Sequence, residues 1–228
     1  MTSRSVQAWV IHKQWSGDTS ARVSFFTREL GLIQCLCKGG RTQKKQSLLQ
    51  AFTPLWVSID ERYDRYFAQS VESIAPMLQL EGVSLFSGLY VNELLYYVLS
   101  PANSYEELFN AYLTTLNGLA LNSTDRFTVE SLLRRFEWAL LKNCGYSFSF
   151  TQEARTGALI APNHYYHFVA GEGFISSSKG ILGEHLLALS EDNLSEDVLL
   201  RSAKHIMRQA IDHLLGGREI QARNLYKS

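Results

Sequence analysis

Four cations fall close together in one stretch, Lys38, Arg41, Lys44 and Lys45, inside Lys38-Gly-Gly-Arg-Thr-Gln-Lys-Lys-Gln-Ser-Leu-Leu-Gln-Ala-Phe-Thr-Pro-Leu55. The glycine pair and the polar tip read as a mobile loop between two strand-like runs, Leu32 to Cys37 and Leu55 to Ile59. A mobile cationic loop can follow the irregular backbone of a polyanion, nucleic acid above all. A solvated hairpin would carry the same residues.

The charge distribution favours the polyanion. Formal net charge is zero, yet residues 1–80 stand at +4 and the remainder at −4. Up to Val57 there are eight basic side chains to two acidic ones. Arg4, Lys13 and Arg22 lie on the strands around the basic stretch and join it as candidate phosphate contacts. Such contacts fix a backbone without choosing a sequence.

Other chemistry is poorly supplied. His164 and His167 flank Tyr165-Tyr166, but on a strand residues three apart face opposite sides. No CxxC pair is present, three cysteines exclude a four-cysteine zinc site, and no Walker or GxGxxG loop exists. Cys144 with His164 could make a nucleophile pair, but a cysteine at a helix end among apolar neighbours reads as an inert thiol. The expectation is no enzyme, no metal and no cofactor. The apolar runs around Leu94 to Leu99 are far short of the roughly 20 residues a membrane span needs. The N-terminus has no apolar core before a cleavage site. A reduced, cytosolic protein without a membrane segment is expected.

Two kinds of element must position these residues. Val6–Ile11, Ala21–Thr27, Leu32–Lys38, Leu55–Ile59 and Tyr66–Val71 alternate as short strands, with a turn over Asp60 to Asp64. Five strands in about seventy residues fit a small barrel, an OB-fold or an SH3-like one. Trp9, Trp15, Phe25, Phe26, Phe52, Trp56, Tyr63, Tyr66 and Phe67 are interleaved with its cations. Exposed rings can stack on unpaired bases, but most are expected in the core; Trp15, in a turn, is expected outside.

From Ser84 the period becomes helical. Helices are expected from Ser84 to Leu99, from a capping box at Ser104-Tyr-Glu-Glu107, from Thr128 to Asn143 with Gly145 as its cap, from Gly183, and from Ser195 to Gly216-Gly217. Residues 146–180 read as irregular, with a hairpin of Tyr165–Val169 and Phe174–Ser177. The fold class is α+β: a barrel domain over residues 1–78, then a mostly helical domain over 79–228. On the last helix Arg201, Lys204 and Arg208 form a stripe beside Leu199, Ala203, Ile206 and Ala210, and Arg134 and Arg135 add positive charge to the third helix. A solvated face explains such a stripe, and so does a site for an acidic peptide with a hydrophobic end.

Several strings, taken in order, resemble the RecO family of bacterial DNA repair proteins. They include Val10-Ile-His12, Asp18-Thr-Ser20, Lys38-Gly-Gly-Arg41, Gln50-Ala-Phe-Thr-Pro-Leu55 and Gly88-Leu-Tyr-Val-Asn-Glu-Leu-Leu95. Arg134-Arg-Phe-Glu137, Gly145-Tyr146, Gly171-Glu-Gly-Phe174, Ala203-Lys204 and Leu215-Gly-Gly-Arg218 continue the series. The resemblance implies an N-terminal OB-fold followed by a helical domain, and a cytoplasmic, nucleoid-associated recombination mediator without turnover. It implies binding of single- and double-stranded DNA, annealing, and RecA loading with the partner RecR. It also implies binding of the acidic C-terminal tail of single-stranded-DNA-binding protein, for which Arg134, Arg135, Arg201, Lys204 and Arg208 are the candidates. Many members carry a four-cysteine zinc module where this chain has Phe148-Ser-Phe-Thr-Gln-Glu-Ala-Arg155, so the resemblance is to the zinc-free branch. A protein-interaction adaptor without DNA binding is the alternative, and a Cys144-dependent hydrolase a third reading.

Overall fold

The computed structural model describes residues 2–63, 65–101, 103–122 and 124–227. Asp64, in the expected β-turn, lies outside them. Five strands close into a barrel: β1 (Thr2–Ser16), β2 (Ser20–Thr27), β3 (Gly31–Cys37), β4 (Pro54–Arg62) and β5 (Arg65–Ser73). Their order is β1-β2-β3-β5-β4, with β4 returning to β1 and only β3–β5 parallel. This is the OB-fold arrangement, and it settles the choice against an SH3-like barrel.

The alternation of apolar residues explains the closure. Val6, Ala8 and Val10 of β1, Val23 and Phe25 of β2, Cys35 and Cys37 of β3, and Val57 and Ile59 of β4 all point into one core. β1 is much longer than its apolar centre because its polar ends pair with different partners, Thr2–Trp9 with β4 and Ala8–Ser16 with β2. Asp60, Glu61 and Arg62, expected in a turn, extend β4 instead, with Asp60 opposite Phe67.

The stretch expected as a mobile loop is instead partly helical. Helix α1 (Gln43–Leu48) lies between β3 and β4. Leu48 packs on the barrel core and Leu49, fully buried, belongs to it. The amide of Arg41 donates to the Thr19 carbonyl at 3.1 Å, tying the β3–α1 link to the β1–β2 turn. A helix under two turns long is too short to display a 3.6-residue period, so its residues read as a polar tip.

The chain forms two compact units, Met1–Val129 with Ile220–Ser228, and Glu130–Glu219. In the first, α2 (Gly82–Val98) and α3 (Glu106–Leu121) cover the outer side of β1 and β2. Trp9 and Phe26 meet Tyr112 edge-on at 5.9 and 5.6 Å, and Phe26 meets Phe109 at 5.2 Å. The buried Tyr112 hydroxyl donates to Asn92 Oδ1 at 2.9 Å. Gly88 is required here: a Cβ would come within 2.8 Å of the Phe52 ring. The expected capping box does not form, because Ser104 Oγ donates to the Arg28 carbonyl at 3.3 Å and the N-cap is Tyr105. The 3-10 helix Gln221–Lys227 starts on Glu93, whose carboxylate accepts from the amides of Gln221 and Ala222 at 2.9 and 2.8 Å.

α4 (Arg126–Asn143), which belongs to the second unit from Glu130 on, is closed by Gly145 at φ +77°, with the Tyr146 amide donating to the Leu141 carbonyl at 2.9 Å. β6 (Tyr165–Val169) and β7 (Gly173–Ser177) make the hairpin, and the two-residue β8 (Ile181–Leu182) adds a third strand to β6. α5 (Gly183–Ser190) and α6 (Asp197–Leu214) complete it. Ser195 does not cap α6; its hydroxyl donates to Asn193 Oδ1 at 2.7 Å, and the N-cap is Glu196. Phe148 and Phe150 join Trp138, Phe168 and Phe174 in one aromatic cluster with ring centroids 4.6–5.7 Å apart. The Phe148–Arg155 segment therefore holds its place by apolar packing.

Candidate nucleic-acid interface

One end of the barrel gathers the cations that the sequence scatters. Lys13 and Trp15 project from the same side of β1, past the core, next to α1. Lys13 Nζ donates to the Leu49 carbonyl at 2.8 Å, and burial pulls its pKa below the usual lysine value. Trp15, expected in a turn, lies on β1 opposite Ala21 and is nevertheless 48% exposed. Both Lys13 and Arg41 lie over its ring, 5.4 and 5.1 Å from the centroid. Arg41 also reaches the Asp18 carbonyl at 3.4 Å. The result is an exposed indole held between a lysine and an arginine, a surface on which a base can stack while phosphates meet cations.

The other basic side chains of this segment divide by what they already hold. Lys45 Nζ donates to the Lys38 carbonyl at 2.7 Å. Lys38, Lys44 and Arg22 are exposed and make no ion pair among the described residues. Arg22 stands on the outer face of β2, opposite Gln14 and Leu36. Arg4 is separate: it lies at the far end of β1, nine residues or about 30 Å of strand from Lys13, and pairs with Glu61 at 3.3 Å. Of Arg62, Tyr63 and Arg65 at the β4–β5 end, the sequence singled out only Tyr63, as one of nine aromatic rings in the barrel. The signal was strand register, which places them beside β3 and which no linear pattern reveals.

The cations of the helical unit are arranged differently. Arg134 is only 7% exposed, and its Nη2 donates to the buried Glu137 at 2.9 Å. It is therefore not on an exposed stripe, contrary to the expectation from Arg134-Arg135. Consecutive helix positions point about 100° apart, so one arginine faces inward and the other outward. Arg135 Nε donates to both Asp192 oxygens at 3.0 and 2.8 Å, and Lys204 pairs with Glu130 at 3.2 Å. Arg201 and Arg208 on α6 are exposed and carry no ion pair among the described residues.

Catalytic chemistry finds no support at the positions considered. Burial pushes the Cys144 thiol up to about 11, so it is not a thiolate at neutral pH. Burial likewise raises Cys35 and brings Cys37 to about 11, against the opposing pull of Lys45. His167 lies on the exposed side of β6, and among the described residues no group of histidine, cysteine and carboxylate side chains could hold a metal. No described helix is long and apolar enough to cross a membrane.

Comparison with known proteins gives the family. Residues 1–77 match the family model for the recombination protein O N terminal, and residues 79–215 that for the recombination protein O C terminal. A DNA repair protein RecO of Legionella pneumophila (strain Corby) is 70% identical over 227 residues, covering 99% of each chain. One from Enterobacter sp. (strain 638) is 36% identical, covering 97% of this chain and 95% of that one. One from Actinobacillus pleuropneumoniae serotype 7 (strain AP76) is 35% identical, covering 97% and 94%.

Proposed function

The chain belongs to the recombination protein O family, which works in DNA repair and recombination, and on that premise we propose that it is a DNA-binding recombination mediator. It binds single- and double-stranded DNA, anneals complementary strands, and with RecR helps load RecA onto gaps covered by single-stranded-DNA-binding protein. Residues 1–78 are its DNA-binding part. The observation that carries this reading is the barrel end, where Lys13 and Arg41 flank an exposed Trp15 and Lys38, Lys44 and Arg22 have no carboxylate partner among the described residues. Cations there meet phosphate and the indole meets a base, so neither requires a particular sequence. Arg4 contributes only if DNA displaces Glu61.

The acidic tail of single-stranded-DNA-binding protein is assigned to α6. Arg201 and Arg208 offer charge there that is in no ion pair among the described residues, and Arg135 and Lys204 can exchange Asp192 and Glu130 for the incoming carboxylates. Arg134 supports this surface from inside and does not touch the peptide.

Binding of a fluorescent single-stranded oligonucleotide is measured at increasing salt. Affinity should fall linearly on a logarithmic plot, with a slope of roughly one per phosphate contact. Absence of binding at low salt would contradict the proposal and leave the adaptor reading.

A further inference from the structure

Helix α2 has two occupied faces. Gly88 and Asn92 face the barrel, Gly88 against the Phe52 ring and Asn92 Nδ2 donating to the Val10 carbonyl at 3.4 Å. Phe86, Tyr90 and Glu93 share the opposite face, at helical spacings of four and three. The end of the chain folds onto that face. Ile220 and Ala222 are buried, and both oxygens of the Glu93 carboxylate take the amides of Gln221 and Ala222, the open N–H end of the 3-10 helix. The Arg223 guanidinium lies 5.8 Å from the Tyr90 ring centroid. The Tyr226 ring meets Phe86 edge-on at 6.0 Å, and its hydroxyl is 2.9 Å from Ser87 Oγ. This face therefore holds a peptide segment by its backbone at the start and by an aromatic ring at the end.

Two features make the segment exchangeable. It is the last stretch of the chain, so it can leave α2 without unthreading anything. It is also reached from α6 through Gly216 and Gly217, at φ +59° and +85°, where a Cβ on either would meet nothing within 4 Å. We infer that α2 carries a segment-exchange site, on which residues 220–227 of a second copy of this chain dock in place of its own, giving a swapped dimer. Each contact named above is remade between copies, so the exchange sacrifices none of them. The linker sets the balance. A short flexible link holds the segment near its own α2 at an effective concentration of roughly millimolar. Single chains prevail in dilute solution, and exchange sets in where copies crowd together. A swapped pair carries two barrels and so two DNA-binding ends, one for each of two complementary strands. That consequence alone rests on the proposed function.

The test uses the full chain and native mass spectrometry. Unaltered protein and its 15N-labelled counterpart are mixed at about millimolar concentration, where the effective concentration of the link is matched, then diluted. Light–heavy hybrid dimers should appear. Deletion of Gly216 and Gly217 shortens the link and should make the dimer the main species at micromolar protein. Adding Ala222→Asp to that deletion sets a second carboxylate against Glu93 and should return single chains. Absence of hybrids in the unaltered mixture, a deletion variant that stays monomeric, or a dimer that survives Ala222→Asp would each overturn the inference. No DNA enters this test, so its failure leaves the DNA-binding reading intact, and failure of oligonucleotide binding leaves the exchange site standing.

Discussion

The barrel end and the helical unit both carry five or more basic side chains, but the two sets are occupied differently. Around α1 the partners of the cations are carbonyls and an indole: Leu49 for Lys13, Lys38 for Lys45, Trp15 for Lys13 and Arg41. In the helical unit Arg134, Arg135 and Lys204 hold the carboxylates of Glu137, Asp192 and Glu130. A carbonyl or a ring leaves the net positive charge in place, and a carboxylate cancels it. On the proposed reading a polyanion is drawn to the first region, whereas in the second Arg135 and Lys204 meet an incoming anion by exchange of partners and Arg201 and Arg208 without it. Residue type alone does not decide which cations are available; the partner does.

The largest effect that would sharpen this contrast is on stability. Arg134→Ala leaves Glu137 charged and buried, and should cost about 3–5 kcal/mol, read as a lower urea midpoint. Oligonucleotide affinity per folded molecule should not change. A surface arginine would show the reverse, with little loss of stability.

Next comes Trp15. Trp15→Ala should weaken single-strand binding by about 1–3 kcal/mol, because it removes the ring and frees Lys13 and Arg41 from it. An exposed side chain of this kind contributes little to folding, so its melting midpoint should barely move. A large drop in midpoint would mean that Trp15 serves the barrel and not a ligand.

The smallest effect is a pH response confined to the barrel unit. His12 stacks on Tyr96 with centroids 4.4 Å apart, and burial holds its pKa below the ordinary value. The unfolded chain therefore takes up a proton more readily than the folded one. The His12 contribution is complete above about pH 6.5 and is lost as pH falls below it. His12→Phe should remove this shallow part of the thermal pH profile; an unchanged profile would show that His12 is not its source.

The barrel was legible because strands of period two, buried on one face, write their pattern directly into Val6, Ala8, Val10 and their neighbours. Three features were not, each for a local physical reason. Helix α1 is shorter than two turns, and the residues that anchor it, Leu48 and Leu49, stand alone among polar neighbours and read as part of the loop before Leu55. Arg134 resembled Arg135 because adjacent letters hide the rotation between helix positions, although Glu137 three residues on was a cue. Ser104 and Ser195 matched helix caps by spacing, yet each found another acceptor, Arg28 and Asn193. The site was legible as composition, since Lys38, Arg41, Lys44 and Lys45 stand out in any reading. Its assembly around Trp15 was not, because β1 was read as ending at Ile11 and Arg41 meets that ring only through tertiary folding, although Lys13 shares its face of the strand.

On the proposed reading, the positive charge available to DNA sits at the α1 end of the barrel. It is tested most directly by the salt dependence of oligonucleotide binding in two variants. In one, Lys38, Arg41, Lys44 and Lys45 become Ala; in the other, Arg201 and Arg208 do. The first should flatten the slope of log affinity against log salt by roughly two to four, and the second should leave it unchanged. Equal slopes for the unaltered protein and the first variant, or a flattening only in the second, would contradict the account.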